Sequence, residues 1–251
     1  MTEKKKKKQN DGVELVFDTF GDPADPAMLL ISGMSSPRDD WPKGFCTRLA
    51  GRGFHVIRFD NRDSGESTHF DHVPDPDLRA VLDGDLSGVP YTLRDMAADG
   101  LAVLDELGIP AAHAVGASLG GMVVQELAIH EPDRLLSVCS IMSTTGDLSV
   151  GAPKGVNGPP PPGALEPRLT RQMAAVFASG DRTKGLHAVT LPTVVIHGDA
   201  DRSVDVSGGR ATAAAIPGAR LLIVPGMGHG SVPQKFWTTV IDAIEQNARL
   251  A

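Results

Sequence analysis

Six short, predominantly apolar runs restrict the fold of this chain more than any other feature. They lie at 27–31, 55–59, 113–115, 135–142, 193–198 and 221–225. None shows sustained alternation of apolar and polar residues. A strand without alternation is one covered on both faces, as in the interior of a parallel sheet. Helical patterns stand between the runs. The clearest opens with Thr92 as N-cap and Asp95 near the positive end of the helix dipole. It continues through the stripe Leu93, Met96, Ala97, Leu101, Leu104 and Leu107, and Gly108-Ile109-Pro110 stops it. Strands alternating with helices predict an α/β fold, a mainly parallel sheet with helices on both faces.

The flanks read differently. Lys4 to Lys8 are consecutive lysines followed by Gln9, Asn10 and Asp11, and their mutual repulsion predicts a disordered tail over 1–12. Residues 13–17 alternate and predict an edge strand. Residues 69–90, with prolines at 74, 76 and 90, read as a surface connection. Between 143 and 191 the chain turns to glycine and proline, including Pro159-Pro160-Pro161-Pro162, with helical spacing only over 165–179. This stretch is expected to be an excursion between two strands of a single domain spanning 13–251. No internal repeat is visible.

A length of 251 residues suffices for a large core. The net charge of −7 speaks against a general nucleic-acid binder. No apolar run reaches the roughly eighteen residues of a membrane span, and the N-terminus lacks a secretory apolar stretch, so the cytoplasm is the expected location. The two cysteines, Cys46 and Cys139, sit amid apolar neighbours and read as buried thiols. The histidines lack ligand spacing, so no metal is expected, and no cofactor either.

Gly116-Ala117-Ser118-Leu119-Gly120 fits G-x-S-x-G, a strand-to-helix turn that presents a serine at its tip. The flanking glycines leave room for the strand and helix to meet. The helix start offers free N–H groups to a developing oxyanion. A serine nucleophile needs an imidazole base and a carboxylate that orients it. In a parallel sheet both belong at the carboxyl ends of strands, where Ser118 also lies. Asp201 follows the run 193–198, with Asp199 and Asp205 as rivals beside it. His229 follows the run 221–225 among Gly226, Gly228 and Gly230, which give its ring freedom to reach the serine. His55 and His113 open buried strands, and His197 is expected to pack beneath the Gly198 turn. Asp60 and Arg62 read as an ion pair fixing the loop after 55–59.

With Ser32-Gly33-Met34, Asp60-Asn61-Arg62-Asp63-Ser64-Gly65, the Ser118 turn, Gly198-Asp199-Ala200-Asp201 and Gly226-Met227-Gly228-His229, the chain resembles an α/β-hydrolase of the serine esterase kind, similar to aclacinomycin methylesterase-like proteins. The resemblance runs from about Val13 to the C-terminus, interrupted in the middle. It implies the α/β-hydrolase fold and the order Ser118, Asp201, His229, with Asp201 favoured over its rivals by its spacing from Gly198. It implies an oxyanion hole from the N–H groups of Leu119 and Met34, with Gly33 and Met34 binding substrate. Many relatives carry His-Gly where this chain has Ser32-Gly33, so the support of that loop differs here. The resemblance also implies a cap over 143–191, reduced in this chain, either an ordered short lid or a partly disordered remnant.

The function expected is hydrolysis of small to medium hydrophobic carboxylic esters through an acyl-enzyme. Two alternatives keep the triad, perhydrolase and C–C bond hydrolase. A third is a non-catalytic, ligand-binding member of the fold. The expected partner is a small-molecule ester, with a homodimer left open.

Overall fold

Every side chain of three short strands is buried: β3 (Ala27–Ile31), β4 (His55–Phe59) and β7 (Thr193–Gly198). In the computed structural model, residues 6–10, 12–152 and 158–251 are described. The remaining strands are β1 (Lys6–Asn10), β2 (Val13–Phe20), β5 (Ala112–Ala117), β6 (Leu135–Ile141) and β8 (Arg220–Val224). They form one sheet in the order β1-β2-β4-β3-β5-β6-β7-β8. Pairing is parallel from β4 to β8 and antiparallel on either side of β2. The helices are α1 (Lys43–Ala50), α2 (Leu78–Leu82), α3 (Leu93–Glu106), α4 (Leu119–His130), α5 (Pro167–Ser179), α6 (Thr183–Leu186), α7 (Val206–Ala215) and α8 (Trp237–Ala248).

Successive strand residues point to opposite faces, so each buried strand feeds two cores. Leu29, Ile31, Ile57 and Phe59 pack with Leu93 and Met96 of α3 and Val123 and Leu127 of α4. Met28, Leu30 and Val56 pack on the other face with Phe45 and Leu49 of α1 and Val240 and Ile244 of α8. The α/β architecture and the helix over 93–106 therefore follow from the apolar pattern. The Thr92–Asp95 capping box is present. Cys46 and Cys139 are buried free thiols, and burial pushes the Cys46 thiol up to about 12.

Three expectations are corrected. Lys6–Asn10 do not trail away but pair antiparallel with β2, so 13–17 belong to an inner strand and β1 takes the edge. A strand needs only its backbone ladder, and lysines on an exposed edge discourage pairing with other chains. Lys7 bonds Glu14 at 2.6 Å, Lys8 pairs with Glu106 at 3.3 Å, and Asn10 donates to Asp99 at 2.9 Å. The rest of the 1–12 expectation, residues 1–5 and 11, lies outside the described residues. Second, the connection 69–90 contains α2, whose N-cap Asp77 accepts from Arg79 N–H at 2.8 Å. Five residues are too few to show helical periodicity. Third, Asp60 and Arg62 do not pair with each other. Asp60 takes the buried Arg38, and Arg62 bonds Asp99 at 2.7 and 2.9 Å. Both residues fix the loop after β4, through partners far away in sequence.

Candidate active site

The turn between β5 and α4 places Ser118 at φ 55° and ψ −118°, a conformation that L-residues rarely adopt. Crowding explains the glycines around it. A Cβ at Gly116 would overlap the Gly120 carbonyl, and one at Gly120 would overlap the Ile31 carbonyl. The turn is tied from below, where Ser118 N–H donates to Ile141 O at 2.9 Å and Ser143 Oγ to Ser118 O at 2.8 Å.

His229 reaches Ser118 from the loop after β8. Its Nε2 lies 3.0 Å from Ser118 Oγ, and its Nδ1 lies 2.8 Å from Asp201 Oδ2. Asp201 comes from the loop after β7, where its Oδ1 accepts the N–H groups of Ser203 and Val204, both at 2.9 Å. The three residues assigned from strand ends thus form one hydrogen-bonded line. The rivals of Asp201 are engaged elsewhere. Asp199 accepts from Gly226 N–H at 2.6 Å, and Asp205 caps α7.

Burial alone would raise the Asp201 carboxyl, but hydrogen bonds from His197 and His229 and from the Val204 N–H hold it well below the usual carboxylate range. His197 therefore does more than pack beneath Gly198. Its Nε2 lies 3.4 Å from Asp201 Oδ2 and 3.0 Å from Val204 O. Its place four residues before Asp201 was visible in sequence, but the turn that folds it back onto the carboxylate was not.

A pocket of about 380 Å³ opens over Ser118. Met34, Met122, Met142, Met173, Trp41 and Val232 supply apolar walls, with Gly33, Leu119 and His229 at the serine. Leu119 is the first residue of α4, so its N–H has no carbonyl one turn earlier to bond. Gly33 is close enough that a Cβ there would lie 3.4 Å from Ser118 Cβ. Ser32 is buried, its carbonyl accepting from Asn61 Nδ2 at 3.1 Å. One helix of the 143–191 segment joins this loop: Gln172 Oε1 of α5 accepts from Ser35 N–H at 2.6 Å. Arg171 beside it makes a two-pronged bond with Asp63 at 2.8 and 2.9 Å. Neither residue was singled out by the sequence pattern, because their partners lie more than a hundred positions away. Among the described residues no group of three or more His, Cys, Asp or Glu side chains is placed to hold a metal ion. Nor is any described helix long and apolar enough to cross a membrane.

The model of the α/β hydrolase fold family matches residues 26–161, more than half of the chain. The chain belongs to that family. This α/β-hydrolase is 38% identical over 143 residues to a rhodomycin D methylesterase of Streptomyces peucetius, covering 57% of this chain and 43% of the relative. The chain thus spans less than half the length of that curated relative in the match. A non-heme haloperoxidase of Rhodococcus erythropolis is 25% identical, with 88% of this chain and 91% of the relative covered. A hydrolase structure from Pseudomonas aeruginosa superposes with a TM-score of 0.74 at 24% identity, covering 98% of this chain and 97% of the other.

Proposed function

We propose that this α/β-hydrolase is a serine carboxylic-ester hydrolase acting on small to medium hydrophobic esters. The observation that carries the reading is the continuous line from Ser118 Oγ to His229 at 3.0 Å and from His229 to Asp201 at 2.8 Å. With Nδ1–H donated to a carboxylate held in its charged form, Nε2 presents a lone pair to the serine hydroxyl. His229 takes the Ser118 proton as Oγ attacks the ester carbonyl. The N–H groups of Leu119 and Met34 hold the oxyanion, and each such donor contributes about 3–4 kcal/mol to the transition state. The alcohol leaves with the proton from His229. Water, activated by the same imidazole, then releases the acid and restores Ser118.

The apolar, methionine-rich walls favour an uncharged acyl group. The rhodomycin D methylesterase relative makes methyl esters the first substrates to try. The test is a panel of nitrophenyl esters from acetyl to palmitoyl, with the methyl ester of an aromatic acid, run on the wild type and Ser118→Ala. Turnover by the wild type should fall about 10⁴-fold or more in the variant. A fluorophosphonate should label Ser118 in the wild type alone. Equal turnover in both proteins would remove Ser118 from the reaction.

A second reading keeps the acyl-enzyme and changes the acceptor. Hydrogen peroxide in place of water would release a peracid from the same intermediate. The haloperoxidase relative, matched over most of both chains, favours trying it. Peracid formation from a carboxylate and peroxide, measured beside ester hydrolysis, separates the two.

A further inference from the structure

The loop after β3 carries Gly33 and Met34 over Ser118, and at its base the Ser32 hydroxyl donates to Pro37 O at 3.3 Å. The loop also holds strain, because Ser35 adopts φ 53°, a left-handed conformation that costs a non-glycine residue free energy. Such a conformation persists only where surrounding contacts determine it. The loop closes on itself through Ser36 N–H donating to Gly33 O at 3.2 Å, and a second contact comes from the helix inserted between β6 and β7. Gln172 of α5 is fully buried, and its Oε1 accepts from Ser35 N–H at 2.6 Å. Its Nε2 donates to Arg62 O at 2.8 Å and Ser64 Oγ at 3.1 Å, both on the loop after β4. One amide therefore joins three segments. With both ends of the amide engaged, its orientation is set and its acceptor faces the Ser35 N–H.

We infer that Gln172 is a positioning residue for the proposed oxyanion hole: it holds the Met34–Ser35 peptide and, through Met34 Cα, limits the preceding Gly33–Met34 peptide to the orientation in which the Met34 N–H faces the oxyanion. The inference rests on the ester-hydrolase reading and adds to it a function for the short cap. The neighbours of Gln172 give the same turn of α5 two further tasks. Arg171 anchors the helix on Asp63, and Met173 forms part of the pocket wall. The helix is thereby set to act as a fixed buttress of the site. Because Gln172 touches the loop and not the substrate, its loss should alter the transition state and leave ground-state binding alone. Shifting a donor by a fraction of an ångström to about 1 Å costs up to roughly 100-fold in rate.

The experiment uses the full chain and two variants. Gln172→Met keeps the length of the side chain and removes all three bonds, whereas Gln172→Glu, kept neutral by burial opposite the Arg62 carbonyl, keeps an acceptor for Ser35 N–H and a proton to donate to Arg62 O. Steady-state kinetics on a nitrophenyl ester are paired with inhibition by an aryl trifluoromethyl ketone. Its carbonyl accepts the Ser118 oxygen to form a hemiketal oxyanion while His229 takes the proton. Gln172→Met should lower kcat about 10- to 100-fold with KM within twofold, and should weaken the ketone by a similar factor. Gln172→Glu should recover most of kcat. Amide NMR signals of Gly33 to Ser35 should move in the methionine variant and lie near their wild-type positions in the glutamate one. If the methionine variant does not fold, the glutamate variant decides alone: kcat within a few-fold of wild type with those signals in place supports the inference, and a loss beyond tenfold overturns it. An unchanged kcat in a folded Gln172→Met protein overturns it, as does a lower kcat with ketone affinity intact. A wild type that neither cleaves esters nor binds the ketone sinks the ester-hydrolase reading and this inference with it. A fully active wild type beside an unaffected variant removes only Gln172.

Discussion

His197 near the end of β7 and Asp201 in the turn that follows it stand with Nε2 of the imidazole 3.4 Å from Oδ2 of the carboxylate. Two imidazoles therefore face a single carboxylate, since His229 Nδ1 reaches the same oxygen at 2.8 Å. Both neighbours of His197 Nε2, Asp201 Oδ2 and Val204 O, are acceptors, which assigns the proton to Nε2. The ring is fully buried, and a Cβ at Gly209 would overlap its Nδ1, so α7 can lie against it only with glycine there.

Removing that second donor should loosen Asp201 without touching the pocket walls. His197→Phe is expected to lower kcat about tenfold with KM little changed, because supporting partners of an active-site group typically contribute on that scale. Steady-state kinetics on a short nitrophenyl ester check this. A lower kcat with an equal rise in KM would place the effect in substrate binding instead.

The backbone at Ser118 gives a second prediction, one that separates activity from stability. At φ 55° the serine is strained, and glycine alone relieves that strain. Ser118→Gly should be more stable than Ser118→Ala by about 1 kcal/mol, with neither variant active. Paired urea titrations measure the difference. Equal midpoints would mean that the turn stores no strain at this residue.

The bond between Arg171 and Asp63 tests how firmly α5 is held. Burial works against the charge on Asp63, but Arg171, the Phe70 N–H and the Tyr91 hydroxyl hold its carboxyl below the usual range. Arg171→Leu leaves that carboxylate buried with its cation gone. A loss of about 3–5 kcal/mol in unfolding free energy is expected, the scale for breaking one side of a buried pair. Denaturant unfolding reads it, and a loss under about 1 kcal/mol would show that α5 is anchored elsewhere.

Acid should destabilise the protein before any carboxylate responds. Burial pushes His113, which bonds Ser137 Oγ at 2.9 Å, down to about 4, and burial lowers His55 as well. The unfolded chain takes up these protons below about pH 6.5 while the folded chain refuses them. Stability therefore falls as pH drops from about 6.5 to 4 and levels off for His113 below that. Its full contribution is about 3 kcal/mol. Asp63 and Asp201 are shifted down as well and add to the loss in the same direction, but what they contribute is lost only below about pH 4. Urea midpoints at pH 7 and pH 5 should differ in the wild type and differ less in His113→Gln.

The apolar runs, the Thr92 cap and the glycines about Ser118 were legible because each obeys a local rule: burial on both faces, satisfaction of free N–H groups, or room for a tight turn. Ser118, Asp201 and His229 were legible because a parallel sheet brings its strand ends to one edge. The ion pairs were not. Asp60 and Arg62 are neighbours in the chain, yet each turned to a distant partner, Arg38 and Asp99, since charge complementarity has no sequence range. The lysine run misled because repulsion among its side chains was weighed without the ladder that β2 offers its backbone.

The amino-acid order by itself determined the α/β architecture and the strand ends at which the three candidate groups stand, because periodicity and turn chemistry act over a few residues. Only the tertiary structure decided that His197 would sit on Asp201 and that Gln172 would hold the loop above Ser118. Those contacts join backbone and side-chain groups brought together by packing. A hydrogen bond across 137 positions leaves no periodic trace in the chain that makes it.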